Sequence, residues 1–324
     1  EIHERLVGSE MCIRDRCNTT CDGSLMGNGI EARSFKIPTF QLAVPIRHRQ
    51  ESVQEYAAEE VVNAIHFIEE QTGEKFDWDA FFKSMKRFNA ETEEFLEWME
   101  ISKTDYPQVM GVTLALYRYG VYQAAGGRNQ AFLDMDKKLT KMALDAYKSK
   151  EMAAKEYRHR AMTWGVQAAY YTALPIWLLN CWGVVTIADM LSMVSTEMVN
   201  TEDKHQAMLD LAYLYENMIM RNRSNGGYET GVEALWRFCE MFNIDIVIMY
   251  VHMGCKSMSG YHGLFEEEAR KHGIHLIWVT HNLMCPEDGT RRDMRTEINR
   301  YMRTVFREEP LDLSLIHISE PTRR

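Results

Sequence analysis

The chain has no uninterrupted apolar run approaching the ~20 residues that a membrane-spanning helix needs, so a place in the bilayer is not expected. It also has no surplus of positive charge. With 47 acidic against 37 basic residues the net charge is -10, which argues against nucleic acid as the main partner. Local Arg and Lys are still enough to meet the anionic parts of a coenzyme. Cysteine is sparse: seven residues at irregular spacing make no disulfide framework, and no secretory signal is visible. Reduced thiols in a cytoplasmic or anaerobic setting fit that usage. There is no G-x-x-x-x-G-K-[ST] and no G-x-G-x-x-G opening a helix, so the chain offers no ATP or dinucleotide fingerprint. Internal repeats and low-complexity linkers are absent as well.

What is present is a soluble globular pattern of 324 residues, long enough for one large or two ordinary cores. The 22 methionines read as flexible core filler with no cofactor role. The two ends stand apart. EIHERLVGSEMCIRDR (1–16) and SLIHISEPTRR (314–324) continue no helical or strand pattern of their neighbours, and both look like translated sequencing-adapter sequence. Neither is expected to have a stable place in the fold. The natural polypeptide is then expected to be broken at both ends, with its N-terminal part missing.

Between the ends, the turn-forming TTCDGSLMGNG (19–29) precedes an extended FKIPTFQLAVP (35–45). Helical periodicity follows over 50–73, 76–101, 107–124 and 129–157. The second half alternates. Strands are expected at 160–166, 183–189, 244–252 and 274–281, and helices at 168–182, 202–220, 232–243, 264–273 and 291–307. Strand and helix taking turns over this length predicts a doubly wound α/β domain with a parallel sheet.

The most informative stretch is IDIVIMYVHMGCKSMSG (244–260), an apolar β-branched run that stops at Gly254 and leaves Cys255 on the following loop. Open α/β sheets bind their ligands beyond the carboxyl ends of the strands, so His252, Cys255 and Lys256 are expected at the functional rim. Cys181 and Cys239 fall inside apolar helical patterns and read as core thiols, while Cys285 follows a strand end on the same rim. Arg221, Arg223 and Asn225 occupy a glycine-bearing corner suited either to phosphate contact or to simple solvation. Trp164 and Tyr170 read as core aromatics, with the wall of an acyl pocket as the alternative.

TTCDGS (19–24) and HMGCK (252–256), with IPTFQLAVP and RAMTWG in the order between them, resemble the 2-hydroxyacyl-CoA dehydratase and benzoyl-CoA reductase family over nearly all of 17–310. The resemblance implies two Rossmann-like halves, the first incomplete here, with parallel sheets and an intervening helical region. It divides the chain into an adapter-like 1–16, the remainder of the N-terminal half with the helical region over 17–159, a doubly wound α/β domain over 160–310, and a mostly adapter-like 311–324. It also implies a [4Fe-4S] cluster held by three cysteines, of which Cys21 and Cys255 match; the other belongs to the missing N-terminal part. Cys17 is close to Cys21 but stands at the adapter junction. Ligands on one cluster hold their sulfurs within roughly 6–7 Å, so Cys21 and Cys255 are expected to approach each other.

Three thiolates leave one iron with an exchangeable position, at once Lewis acid and electron relay. That suits a 2-hydroxyacyl-CoA, whose β-proton is scarcely acidic and whose hydroxyl leaves poorly. One electron added to the thioester carbonyl gives a ketyl radical that expels the hydroxyl and acidifies the β-proton. The family implies that the electron comes from a separate ATP-dependent iron-sulfur activator, and that a paralogous second subunit completes a heterodimer. His252 and Lys256 are the candidate catalytic residues beside the Cys21 and Cys255 ligands, and the fragment alone is expected to be inactive. Three other readings stand beside this one: a benzoyl-CoA reductase-type subunit, a non-catalytic electron-relay or structural partner, and a flavodoxin-like or periplasmic-type binding domain whose cysteines are incidental.

Overall fold

A computed structural model describes residues 15–18, 22–36, 38–42, 51–108, 130–152, 156–168, 170–190, 197–217 and 228–316. The chain divides into two compact units, one from Glu1–Asn89 and Glu197–Gly231, the other from Ala90–Thr196 and Val232–Arg324.

In the first unit, β1 (Asp15–Asn18) pairs in parallel with β2 (Thr39–Leu42), in register from Asp15 opposite Thr39 to Asn18 opposite Leu42. Parallel neighbours require a crossover, and α1 (Asp22–Phe35) supplies it. This corrects the turn expected over 19–29. Gly23, Gly27 and Gly29 make α1 a weak helix by propensity, but closing a parallel pair overrides propensity. Residues 15 and 16 of the adapter-like head thus form half of β1. The periodic segments follow as α2 (Glu51–Thr72) and α3 (Trp78–Ser102), the latter running on into the second unit. α4 (Gln130–Lys148) belongs to that unit, and most of the helix expected at 107–124 lies outside the described residues.

The second unit holds β3 (His159–Trp164), β4 (Val184–Asp189), β5 (Ile246–His252) and β6 (His275–His281). All pairings are parallel, and the spatial order is β4-β3-β5-β6. The chain therefore moves outward from β3 in both directions, which puts the topological reversal between β3 and β5. One face of the sheet, through Ala161, Ile246, Ile248, Tyr250, Ile277 and Val279, packs against Leu174, Trp182, Met294 and Ile298. The alternate residues Met162, Trp164, Val247 and Met249 are equally buried, so both faces are covered. Each such side chain contributes roughly 1.5–3 kcal/mol by leaving water, which is why the strands read as continuous apolar runs.

Helix ends follow local chemistry. α5 (Leu174–Trp182) starts six residues later than periodicity suggests, because Pro175 fits only its first turn. α6 (Lys204–Glu216), in the first unit, is capped by Asp203, whose carboxylate accepts the Gln206 N–H at 2.7 Å. α7 (Tyr228–Met241) leads into β5, and α8 (Lys256–Gly260) with α9 (His262–His272) leads from β5 to β6. A capping box of Thr290 and Asp293 opens α10 (Arg291–Tyr301), which widens into a π-turn over Met302–Phe306 and stops at Arg307. A 3-10 turn, Leu313–Ile316, comes last. Leu315 and Ile316 pack on the core, and the Leu315 carbonyl accepts the Trp177 indole N–H at 3.1 Å, so this part of the adapter-like tail does have a place in the fold.

Candidate functional site

β5 delivers its last residue, His252, to the carboxyl rim, and the chain reverses at once. The Cys255 N–H donates to the His252 carbonyl at 2.9 Å, closing a four-residue turn. The Gly254 N–H donates to His252 Nδ1 at 3.1 Å. Because Nδ1 accepts here, the neutral imidazole carries its proton on Nε2. Cys255 takes the N-cap position of α8 with extended backbone, φ -87 and ψ 96. Its thiol is half-buried, and Lys256 after it is exposed. The three residues expected at this rim therefore stand at the carboxyl end of the strand and in the turn that follows it.

The other thiols differ. Cys181 and Cys239 are core residues, and burial pushes their thiols up to about 11 and about 12, which keeps them protonated and inert. Cys285, half-buried on the loop after β6, donates its thiol proton to Glu287 Oε2 at 3.0 Å, and that bond raises its pKa. Cys21 falls in sequence between the end of β1 and the start of α1 but lies outside the described residues, as do Arg221, Arg223 and Asn225. Among the described residues no group of three or more His, Cys, Asp or Glu is arranged to hold a metal ion. An iron-sulfur cluster needs thiols that can be reached; of the four cysteines whose side chains are described, Cys181 and Cys239 are buried and Cys285 is bonded to Glu287, which leaves Cys255 as the candidate at a strand end.

Trp164 and Tyr170 are both held within the fold near the rim. Trp164 is fully buried, and the Tyr170 hydroxyl donates to the Gly289 carbonyl at 2.5 Å while its own carbonyl accepts from Arg291 at 2.8 Å. Gly165, with φ +103, lets the chain leave β3 directly over β5: a Cβ there would stand 2.3 Å from the Tyr250 carbonyl oxygen. The Tyr250 hydroxyl is buried without a hydrogen-bond partner among the described residues. Burial first, then the nearby Tyr171 and Asp189, raises its pKa, so it stays a neutral donor.

One rim residue escaped the sequence reading. His281 ends β6 directly opposite His252, and burial lowers its pKa against the opposing pull of backbone hydrogen bonds. The available signal was that two neighbouring strands, IMYVH and IWVTH, both end in histidine.

A parallel sheet with Cys255 and two histidines at the carboxyl ends of neighbouring strands is an α/β arrangement, and open sheets of this class hold their ligands beyond those strand ends. Comparison with known families makes this specific. The family model for the 2-hydroxyglutaryl-CoA dehydratase D-component matches residues 16–301, and the chain belongs to that family. It is a component of the 2-hydroxyacyl-CoA dehydratase kind, as TTCDGS and HMGCK implied. A search of curated proteins found no match. No helix among the described residues is long and apolar enough to cross a membrane.

Proposed function

We propose that this chain is one subunit of a cytoplasmic, oxygen-sensitive dehydratase that removes water from a 2-hydroxyacyl-CoA, working with a paralogous partner subunit and an ATP-dependent activator. The observation that carries the reading is Cys255: an accessible thiol at the carboxyl end of β5, beside the reversal of a parallel sheet, in a chain of this family. Cys21 is its proposed companion. Both cysteines fall in sequence between a strand end and a helix start, β1 to α1 for one and β5 to α8 for the other.

In this reading Cys21 and Cys255 supply thiolates to a [4Fe-4S] cluster. When bound, that cluster supplies one-electron and Lewis-acid chemistry, the means of reaching a ketyl radical from a thioester. The chain's own residues do the rest. His252 offers its Nε2 proton to a cluster sulfur or a substrate oxygen, its ring being fixed by the Gly254 N–H. The exposed Lys256 ammonium lies next to Cys255 in sequence, where it offsets anionic charge on a cluster or on coenzyme A phosphate. The buried sheet beneath holds the turn in place.

The test is Cys255→Ser in the intact protein, purified without oxygen and combined with its partner subunit and activator. Most of the bound iron and nearly all dehydration should disappear, while circular dichroism reports an unchanged α/β fold. A variant that keeps its full iron content and turns over normally would remove Cys255 from the site.

A further inference from the structure

Among the described rim residues, His281 combines side-chain and backbone contacts to three loops. Its side chain is fully buried, and because a carbonyl can only accept, the contact of its Nε2 with Val166 O at 2.9 Å is an N–H donation to the loop that leaves β3. Its own carbonyl accepts the Met253 N–H at 3.0 Å, inside the turn that carries Cys255. The loop after β6 is folded back on it. The Asn282 N–H donates to the Asp288 carbonyl at 3.0 Å, and Gly289, with φ +117, lies so close that a Cβ would stand 2.8 Å from the His281 Cα. The rings of Tyr250 and His252 meet its imidazole edge-on, at 5.6 and 6.1 Å between centroids.

We infer that His281 is the positioning residue of the rim, joining the loops after β3, β5 and β6 so that the 252–255 turn presents Cys255 and His252 in one fixed geometry. It touches no reacting atom itself. Groups that hold a ligand to a cofactor are effective only when a supporting shell fixes their rotamers; here the imidazole ties the loop after β3 and packs on the Tyr250 and His252 rings, while the backbone of the same residue meets the turn and the loop after β6. Where the inference concerns the use made of Cys255 it rests on the dehydratase reading; the joining of the three loops does not.

The experiment uses the full-length, reduced, iron-free protein and follows iodoacetamide alkylation at Cys255 by peptide mass spectrometry, with the core thiol Cys239 as a monitor of global opening. His281→Ala should raise the Cys255 rate by about fivefold or more through local opening, with Cys239 unchanged. His281→Gln, which keeps a donor at the Nε2 position, should stay within about twofold of the parent, whereas His281→Asn, which places its amide at the Nδ1 position, should not. An unchanged Cys255 rate in the alanine variant overturns the inference, and so does a parallel rise at Cys239, which would make His281 an ordinary stability residue. If the alanine variant fails to fold, the Gln and Asn variants decide, equal rates in the two being the overturning result. The outcomes are separable from those of the dehydratase reading. A rate change at Cys255 with iron retained by Cys255→Ser leaves His281 in its role and removes Cys255 from the cluster site, and the reverse pair does the opposite.

Discussion

His159, at the amino edge of the sheet, places Nδ1 2.7 Å from Asp245 and Nε2 2.9 Å from Glu308. Burial pulls its pKa down, but hydrogen bonds and charge from the two carboxylates outweigh that, and the net shift is upward from an ordinary value near 6.5. A folded-state pKa above the unfolded one means that the native protein holds the proton more tightly. The stabilisation is therefore complete below about pH 6.5 and is lost as pH rises through the elevated value. The buried His281 shifts the other way, so the informative quantity is the difference between parent and variant. His159→Gln should flatten the fall in urea midpoint expected of the parent above neutrality, and identical slopes would show that these contacts carry no linkage. None of this was legible in the sequence, because Asp245 and Glu308 lie 86 and 149 residues from His159. Cys255 was legible for the opposite reason: an apolar run, a glycine and a cysteine are contiguous, and the strand end is written in seven residues.

Among the elements, strands were the most readable and loop-helix boundaries the least. A strand buried on both faces is largely apolar, so β5, and β4 despite its buried Thr186 and Asp189, announced themselves. The start of α5 did not, because residues 166–173 are apolar enough to extend a helix yet are spent on rim contacts such as the Tyr170 hydroxyl bond to Gly289. α1 was hidden by three glycines and became necessary only once β1 and β2 were paired in parallel. The exit from β3 gives a sharp test of these boundaries. Gly165→Ala adds a methyl 2.3 Å from the Tyr250 carbonyl oxygen at a positive φ, and the obstacle is backbone of the neighbouring central strand. Relief requires β3 and β5 to part, so the variant should lose at least ~2 kcal/mol, read as a lower urea midpoint. A loss below ~0.5 kcal/mol would mean that the rim relaxes freely, against its role as a fixed platform.

For the whole chain, alternation of strand and helix carried the fold class, since it leaves a parallel sheet with helices on both faces as the stable arrangement. The order β4-β3-β5-β6 was beyond it, because the same alternation serves several strand orders, and with the order went the reversal point and the pairing of His252 with His281. The tail shows the same limit from another side. SLIHISEPTRR has no periodicity to connect it with the fold, yet Leu315 and Ile316 settle on the apolar surface around Trp177, as a short hydrophobic pair does wherever a core leaves an open edge. Leu313, in the same turn, remains 59% exposed, so the contact is partial. One hydrogen bond and two half-buried side chains are together worth ~1–2 kcal/mol, which in a unit of this size corresponds to about 2–8 °C. Truncation after Asp312 keeps the Leu311 N–H on the Cys181 carbonyl at 2.7 Å and the Glu308 contact of His159. The shortened chain should melt that much earlier in a single transition, with its far-ultraviolet spectrum intact. A drop beyond ~15 °C, or loss of cooperativity, would instead make the tail an integral part of the core.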